Sequence, residues 1–385
     1  MWDVVVAGAG PAGTVAATIL ARAGARVLIV DRARFPRDKL CGDSINPGTL
    51  RVLRRLDLAR TIEQHGLRID GMRVCGPSAV QVAARYPESS PGCTVLRRDL
   101  DWWLLQEAIR AGAQFEDGVT VRRPRMLSSH AGDARVAGVI VTSRTRGEVP
   151  VSARVTIAAD GRRSTLAFGL HLARHPTRPR RWAVGAYFEG GICTDRMGEM
   201  HIRPGEYVGV APLPGQVTNV CAVGTPASLK HLNDPERALR SAIGRHDALR
   251  DRIAGARLAT RPVVLGPLAV ESRAAGMRGL LLAGDAAGFV DPMTGDGLQF
   301  AVRGGELAAE TALEMLATGD LCAHTALARR RRAVFLAKRC FNRTLRRVVD
   351  SPAALRLATL AASVAPAYVQ MIVATAGGCA RPGPR

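Results

Sequence analysis

The sequence is poor in lysine, in aromatic side chains and in paired cysteines, and each shortage removes a class of protein. Only Lys39, Lys230 and Lys338 are lysines among 54 basic residues. So lopsided a use of arginine reads as coding bias, and the formal charge of +21 is not by itself a nucleic-acid footprint. Aromatics make up 4% of the chain. The basic C-terminal region offers only Phe335, Phe341 and Tyr368 for base stacking, so nucleic acid is not expected as a partner. The eight cysteines (41, 75, 93, 193, 221, 322, 340 and 379) include no CxxC pair and no zinc-like spacing. They are expected to be reduced thiols, each a small core residue, with no metal site. The first residues show no basic n-region, apolar h-region or cleavage site. A cytoplasmic, possibly membrane-associated location is therefore the expectation. Fixed-period repeats and long Pro or Ser linkers are also missing.

Acid is scarce at one end. From residue 321 onward twelve arginines and lysines face the single acid Asp350. In 329–349, Val334, Phe341, Leu345 and Val348 fall on one helical face and Arg332, Arg339, Arg343 and Arg346 on the opposite one, predicting a cationic amphipathic helix. An uncharged run follows from Leu357 to Ala380, broken by Pro366. It reads as helices packed over a second lobe. Peripheral membrane contact through 329–349 is expected.

The 385 residues, 47% of them hydrophobic, suffice for a full core in two lobes or one large α/β unit. WDVVVAG reads as a buried strand, PAGTVAATILARAG as a helix and RVLIVD as a second strand. Gly8, Gly10 and Gly13 form a GxGxxG between the first strand and the helix, and Asp31 ends the second strand. In that setting the triplet is a strong sign of a bound dinucleotide. The glycines admit its pyrophosphate to the helix N-terminus, and the acid meets its ribose. Residues 95–112 predict an amphipathic helix entered through an arginine pair. ARVTIAADGRRS predicts a buried strand ending at Asp160-Gly161. From 180 to 225 the pattern alternates and is punctuated by Gly and Pro, predicting an antiparallel sheet. LLLAGDAAGFVDPMTGDGLQFA then gives a strand ending at Gly284-Asp285, a glycine loop and a helix. The Asp can accept from a polyol, and the helix start at Gly297 and Leu298 can stabilise charge on a flavin ring.

With GxGxxG, DG and GD motifs in that order, the chain resembles FAD-dependent oxidoreductases of the aromatic-hydroxylase fold. Within them it resembles the geranylgeranyl reductase family, which reduces isoprenoid double bonds. PRDKLCGD is similar to that family's PxxxxCGG segment, YVGVAP within YVGVAPLPG to YxWxFP, and GDAAGFVDPMTGDGLQFA to GDAAGxxxPxxGxGI. The likeness extends to Ser351-Pro352 and Gly377-Gly378 in the tail. It implies FAD as cofactor, with Gly8, Gly10 and Gly13 at the pyrophosphate, Asp31 at the adenosine ribose and Arg97 reaching the phosphates. Asp285 after Gly284 would hold the ribitol, Gly295, Gly297 and Leu298 would lie near the ring, and Asp160 and Gly161 would sit between FAD and its reductant. Cys41 and Gly42 would lie beside the ring, with Cys41 as proton relay or as packing. Lys39 would answer cofactor charge and Asp43 would cap a turn.

Departures concern the substrate more than the cofactor. Asp31 stands where Glu is commoner, Asp43 replaces a Gly, Gly209 and Ala211 replace a Trp and a Phe, and Ala167 occupies the place of a hydroxylase Arg. The expected architecture is α/β, with a discontinuous Rossmann-like FAD-binding domain (1–70, 95–165, 270–320), a mainly antiparallel substrate domain (71–94, 166–269) and a basic helical tail (321–385). The expected activity is reduction of C=C bonds in an isoprenoid chain, prenyl lipid or isoprenoid quinone. The alternative is an FAD monooxygenase acting on an aromatic or polyketide. No second strand-GxGxxG-helix unit is present, so NAD(P)H or a small redox protein would dock only transiently as reductant.

Overall fold

The computed structural model describes residues 1–379 except 78–79, 129–133, 146, 179, 191 and 194. Its first sheet is built around Trp2–Ala7, which pairs in parallel with Val27–Val30 on one side and Val149–Ala158 on the other. Both faces of this strand are covered, and Val4, Val5 and Val6 are completely buried. That is why it reads as an unbroken apolar run rather than an alternation. Gln114–Glu116 and Leu280–Leu282 extend the parallel sheet at its two sides. The helices Pro11–Arg22 and Gly297–Thr318 pack on one face around Ala12, Ala16, Leu20, Leu307 and Ala308. The expected helix over 95–112 is Arg97–Arg110 and joins the same layer.

The second lobe hangs on a sheet whose central strands, Trp182–Glu189, Val217–Gly224, Glu206–Leu213 and Met197–Arg203, are antiparallel as expected. One pairing differs. Gly71–Cys75 joins Met197–Arg203 in parallel, because the two strands come from separate passages of the chain and no hairpin turn links them. Helices Pro235–Gly244 and Asp247–Ala254 cover the outer face around Val184, Phe188, Val220, Leu239 and Ile253. Glu199 ties this layer together. Its carboxylate pairs with Arg73 and Arg252 and meets His201 Nε2 at 2.7 Å, and these partners hold it down at about 2 against the penalty of burial. Burial beside His201 and two arginines presses His246 down to about 4.

The tail divides between the lobes. Its long helix is His324–Asp350, starting earlier than expected, and it places Leu327 and Phe335 in the core of the first lobe. Its inward seam runs Leu327, Arg331, Phe335, Asn342 and Val349, so the expected faces are corrected. Val334 is 40% exposed, while Arg339 and Arg346 are drawn partly inward. The reason is that a neighbouring helix, not this helix's own amphipathicity, selects the buried side. Two shorter helices, Pro352–Val364 and Ala367–Ala376, meet at a 113° bend and pack on the second sheet through Val369 and Val373. Among the described residues no single helix is long and apolar enough to cross a membrane. Residues 380–385 of the expected tail lie outside the described residues.

Candidate active site

The GxGxxG loop is shaped by contacts that only glycine tolerates. A Cβ on Gly13 would lie 1.9 Å from the Gly8 carbonyl oxygen, and one on Gly8, at φ +102°, would lie 2.5 Å from that of Ala159. The helix Pro11–Arg22 therefore starts hard against the strand ends, with Gly10 at its N-cap, no capping side chain and Pro11 in its first turn. Its first N–H groups are left for an anion. Asp31 holds this loop in place, accepting from Ala9 N–H and Ala33 N–H, each at 2.8 Å.

Gly284 and Asp285 form the turn after the strand Leu280–Leu282, and Asp285 lines the same cavity as Gly10 and Asp31. Asp160 accepts from Thr165 N–H through Oδ2 at 2.8 Å, while its buried Oδ1 has no partner. Burial pushes its carboxyl up. Gly295, Gly297 and Leu298 line the cavity where the helix Gly297–Thr318 begins. Asp296 does not cap that helix. Its Oδ1 instead accepts from Asn46 Nδ2 at 3.1 Å and from Lys338. Two uncapped helix N-termini, an orphaned carboxylate oxygen and a glycine cradle in one cavity fit FAD, whose pyrophosphate, polyol and ring need those partners.

Cys41 takes φ +117° and Gly42 φ +86°, so a non-glycine residue is held in a conformation that L side chains avoid. Arg97 braces the kink. Its Nη1 donates to the Cys41 carbonyl at 2.7 Å, and Nε and Nη2 bind Asp101 at 3.0 Å each. Where a phosphate contact was expected, this guanidinium is engaged in holding the Cys41 loop. Arg37, 3.0 Å from Asp101, completes the brace. Asp43 does more than cap a turn. Its carboxylate accepts from Arg97 N–H at 2.8 Å, from Tyr187 Oη at 3.1 Å and from Asn219 Nδ2. Tyr187 and Asn219 are register partners on neighbouring antiparallel strands, so the second sheet grips the flavin loop with two prongs. Burial outweighs these donors and pushes Asp43 up to about 6. The Cys41 thiol is also pushed up by burial, keeping its proton.

The cavity, of about 950 Å³, runs from the glycine cradle across Cys41 to an apolar compartment. Met72, Val74, Met200, Ile202 and Val223 line it from the second sheet, and Leu355, Ala362, Val369 and Val373 from the tail helices. Backbone contacts hold the tail closed. Gly48 N–H donates to the Gly377 carbonyl at 2.8 Å, and Lys338 Nζ donates to that of Ala376 at 2.9 Å.

The structure brings all the expected site residues to one cavity except Gly13, which shapes it from behind. Sequence reasoning missed Tyr187, Asn219, Asn46 and Lys338. Tyr187 and Asn219 had only the alternation along their strands as a signal, Asn46 a helix-start pattern, and Lys338, within the long tail helix, none. The expectation that each lone cysteine is a core residue fails for Cys322 and Cys340, which are exposed on tail segments with no second layer above them.

Residues 1–334 match the FAD-binding-domain family. The chain is 33% identical over 329 residues to a menaquinone reductase of Mycolicibacterium smegmatis, covering 80% of this chain and 75% of that one. It is 32% identical to a geranylgeranyl diphosphate reductase of Rhodobacter capsulatus, over 83% and 76% of the two chains. It is also 32% identical to a digeranylgeranylglycerophospholipid reductase of Methanopyrus kandleri, over 84% and 83%. A flavoprotein/dehydrogenase structure from Cytophaga hutchinsonii superposes with TM-score 0.83 at 21% identity, over 98% and 93% of the chains. A myxobacterial chondrochloren halogenase does so with TM-score 0.76 at 23%, over 82% and 75%. These structural likenesses show the fold. The cradle, the two helix starts and the sequence relatives together show that the chain belongs to the FAD-binding-domain family and, within it, to the geranylgeranyl reductase-like FAD-dependent oxidoreductases.

Proposed function

We propose that this enzyme reduces carbon–carbon double bonds of an isoprenoid. The observation that carries the reading is the continuity of the cavity from the flavin cradle to an apolar compartment closed by the tail helices. FAD, when bound, supplies the hydride chemistry. The chain's own residues do the rest. Gly8, Gly10 and Asp31 would hold the nucleotide end, and the start of the Gly297–Thr318 helix would serve the ring end. The apolar walls exclude water and align a prenyl chain. Cys41, carrying its proton on Sγ beside the cavity, is the acid placed to protonate an alkene carbon. Its strained backbone keeps that thiol in place, and Arg97 and Asp43 hold the strain.

Electrons would arrive from NAD(P)H or a small redox protein docking transiently. Peripheral membrane contact belongs to the same reading, at an altered place. The exposed arginines of the long helix are Arg329, Arg332, Arg343 and Arg347. On the bent helix pair that follows, Leu357, Leu360, Val364, Tyr368 and Met371 are 59–78% exposed. Exposed arginines on one helix and exposed apolar side chains on the next suit a bilayer interface.

The test is anaerobic turnover of dithionite-reduced holoenzyme with prenyl alcohols, diphosphates and quinones, followed by mass. A product heavier by two hydrogens is expected, slowed in Cys41→Ser without loss of FAD. No hydrogenated product, together with an oxygen-dependent gain of one oxygen atom on an aromatic substrate, would establish the monooxygenase alternative instead.

A further inference from the structure

The cavity is divided by charge. Its basic lining residues are Arg32, Arg37, Lys39, Arg97, Arg162 and Arg163. All of them belong to the nucleotide lobe. Among the described residues, the compartment between the second sheet and the tail helices has no cation in its lining. Its charged member, Glu199, is already neutralised by Arg73 and Arg252. The tail's exposed arginines lie on the outer surface and are absent from the lining. A diphosphate or phosphodiester brought into this compartment would lose its hydration without a counter-charge to compensate.

A second feature concerns width. On the cavity side of the sheet, Cys221 has Gly185 and Gly209 as its register partners on the two neighbouring strands. Gly185 has a reason within the protein: a Cβ there would lie 2.8 Å from the Val220 carbonyl and 3.0 Å from Leu40. Gly209 has none. Its φ is ordinary, and an added Cβ would meet nothing nearer than the Cys221 carbonyl oxygen at 3.9 Å. Glycine in a strand interior weakens it relative to alanine. Where no neighbour demands it, it marks close approach of a ligand. Ala211, one step along the same face, continues the opening towards Asn219.

Resting on the reductase reading, we propose that the substrate is an isoprenoid with an uncharged head, a prenylated quinone or prenyl alcohol rather than a prenyl diphosphate or phospholipid. Gly209 opens a slot on the second sheet, beside its register partner Cys221, wide enough for a flat ring at the head.

Geranylgeraniol and geranylgeranyl diphosphate share a chain and differ only in head group, so they form the matched probe. Binding to oxidised holoenzyme is read from the perturbed flavin absorbance, without turnover. The alcohol and a prenylated naphthoquinone should bind at least tenfold more tightly than the diphosphate. Gly209→Trp should weaken the naphthoquinone at least tenfold with FAD content unchanged, while Gly209→Ala should bind nearly as the parent. Equal or tighter binding of the diphosphate overturns the head-group inference and leaves the reductase reading standing. Undiminished naphthoquinone binding by a flavin-replete Gly209→Trp overturns the role of Gly209. If no prenyl compound perturbs the flavin and none is hydrogenated, the reductase reading falls and takes this inference with it.

Discussion

The two lobes share one cavity but are built under opposite constraints. On the nucleotide side the backbone does the binding: turns and helix starts are fixed by atoms that would collide with any Cβ, and six basic residues line the wall. On the substrate side alternate side chains do it, from paired strands and from helices nearly 300 residues away in sequence, without a cation. A backbone site tolerates little change because its geometry is steric. A side-chain site can be recut by single substitutions, so chains with one cofactor can differ in substrate. The nucleotide lobe fixes the chemistry, while the sheet and the tail fix what undergoes it.

That contrast breaks most severely at Gly13. A β-branched side chain there collides with the Gly8 carbonyl, so Gly13→Val is expected to purify colourless, with under a tenth of the parent's FAD. Flavin absorbance per chain checks it, and a full flavin complement would show that the cradle is softer than its contacts imply. On the other lobe, Glu199→Gln leaves Arg73 and Arg252 without their buried partner and should cost about 3 kcal/mol, the lower end for a broken buried ion pair because both arginines are partly solvated. Glu199 is held below its unfolded value, so its contribution is present above about pH 4.5 and is lost as pH falls towards 2. Denaturant titration should show the loss at pH 7 and a smaller difference from the parent near pH 3.

Asp43 joins the lobes and has the opposite sign. Its folded value of about 6 lies above the unfolded value, so the native chain binds the extra proton between them. Its contribution is complete below about pH 4 and is lost as pH rises through about 6. Asp43→Asn removes this dependence, so its stability relative to the parent should rise by about 2–3 kcal/mol from pH 4 to pH 7, a shift of some two pKa units. Thermal melts across that range check it, and parallel curves would mean that Asp43 is ionised throughout. Per residue, the smallest effect is expected at the surface. Replacing Arg329, Arg332, Arg343 and Arg347 by Gln should weaken sedimentation with anionic vesicles by about 1 kcal/mol per charge. Leu360→Asp with Val364→Asp should reduce binding to neutral vesicles as well. Unchanged binding in both variants would remove the membrane from the account.

Sequence legibility follows the same divide. Gly8 and Gly13 could be read because the backbone leaves no room for a Cβ there, and Gly10, Asp31 and Asp285 because they stand at fixed offsets from strand ends, while Asp160 came from the family resemblance. Tyr187 and Asn219 could not, since their meeting with Asp43 depends on sheet register and on how the lobes close. The long tail helix was found, but its inward side was misplaced: Arg331, only 6% exposed, lies in the seam and donates to the Ala287 carbonyl. Helical periodicity identifies candidate faces, and only the neighbour decides between them. The sequence offers no reason for Gly377; its carbonyl accepts a backbone hydrogen bond from Gly48, far away in the chain.

If the cavity sets an uncharged prenyl chain against the flavin for reduction, single-turnover, anaerobic mixing of reduced holoenzyme with geranylgeraniol will show it, because this alcohol has no redox-active ring to accept electrons by another route. The absorbance of oxidised flavin should return on mixing, with one double bond hydrogenated per flavin. A flavin that stays reduced until oxygen is admitted, with the alcohol recovered unchanged, would contradict it.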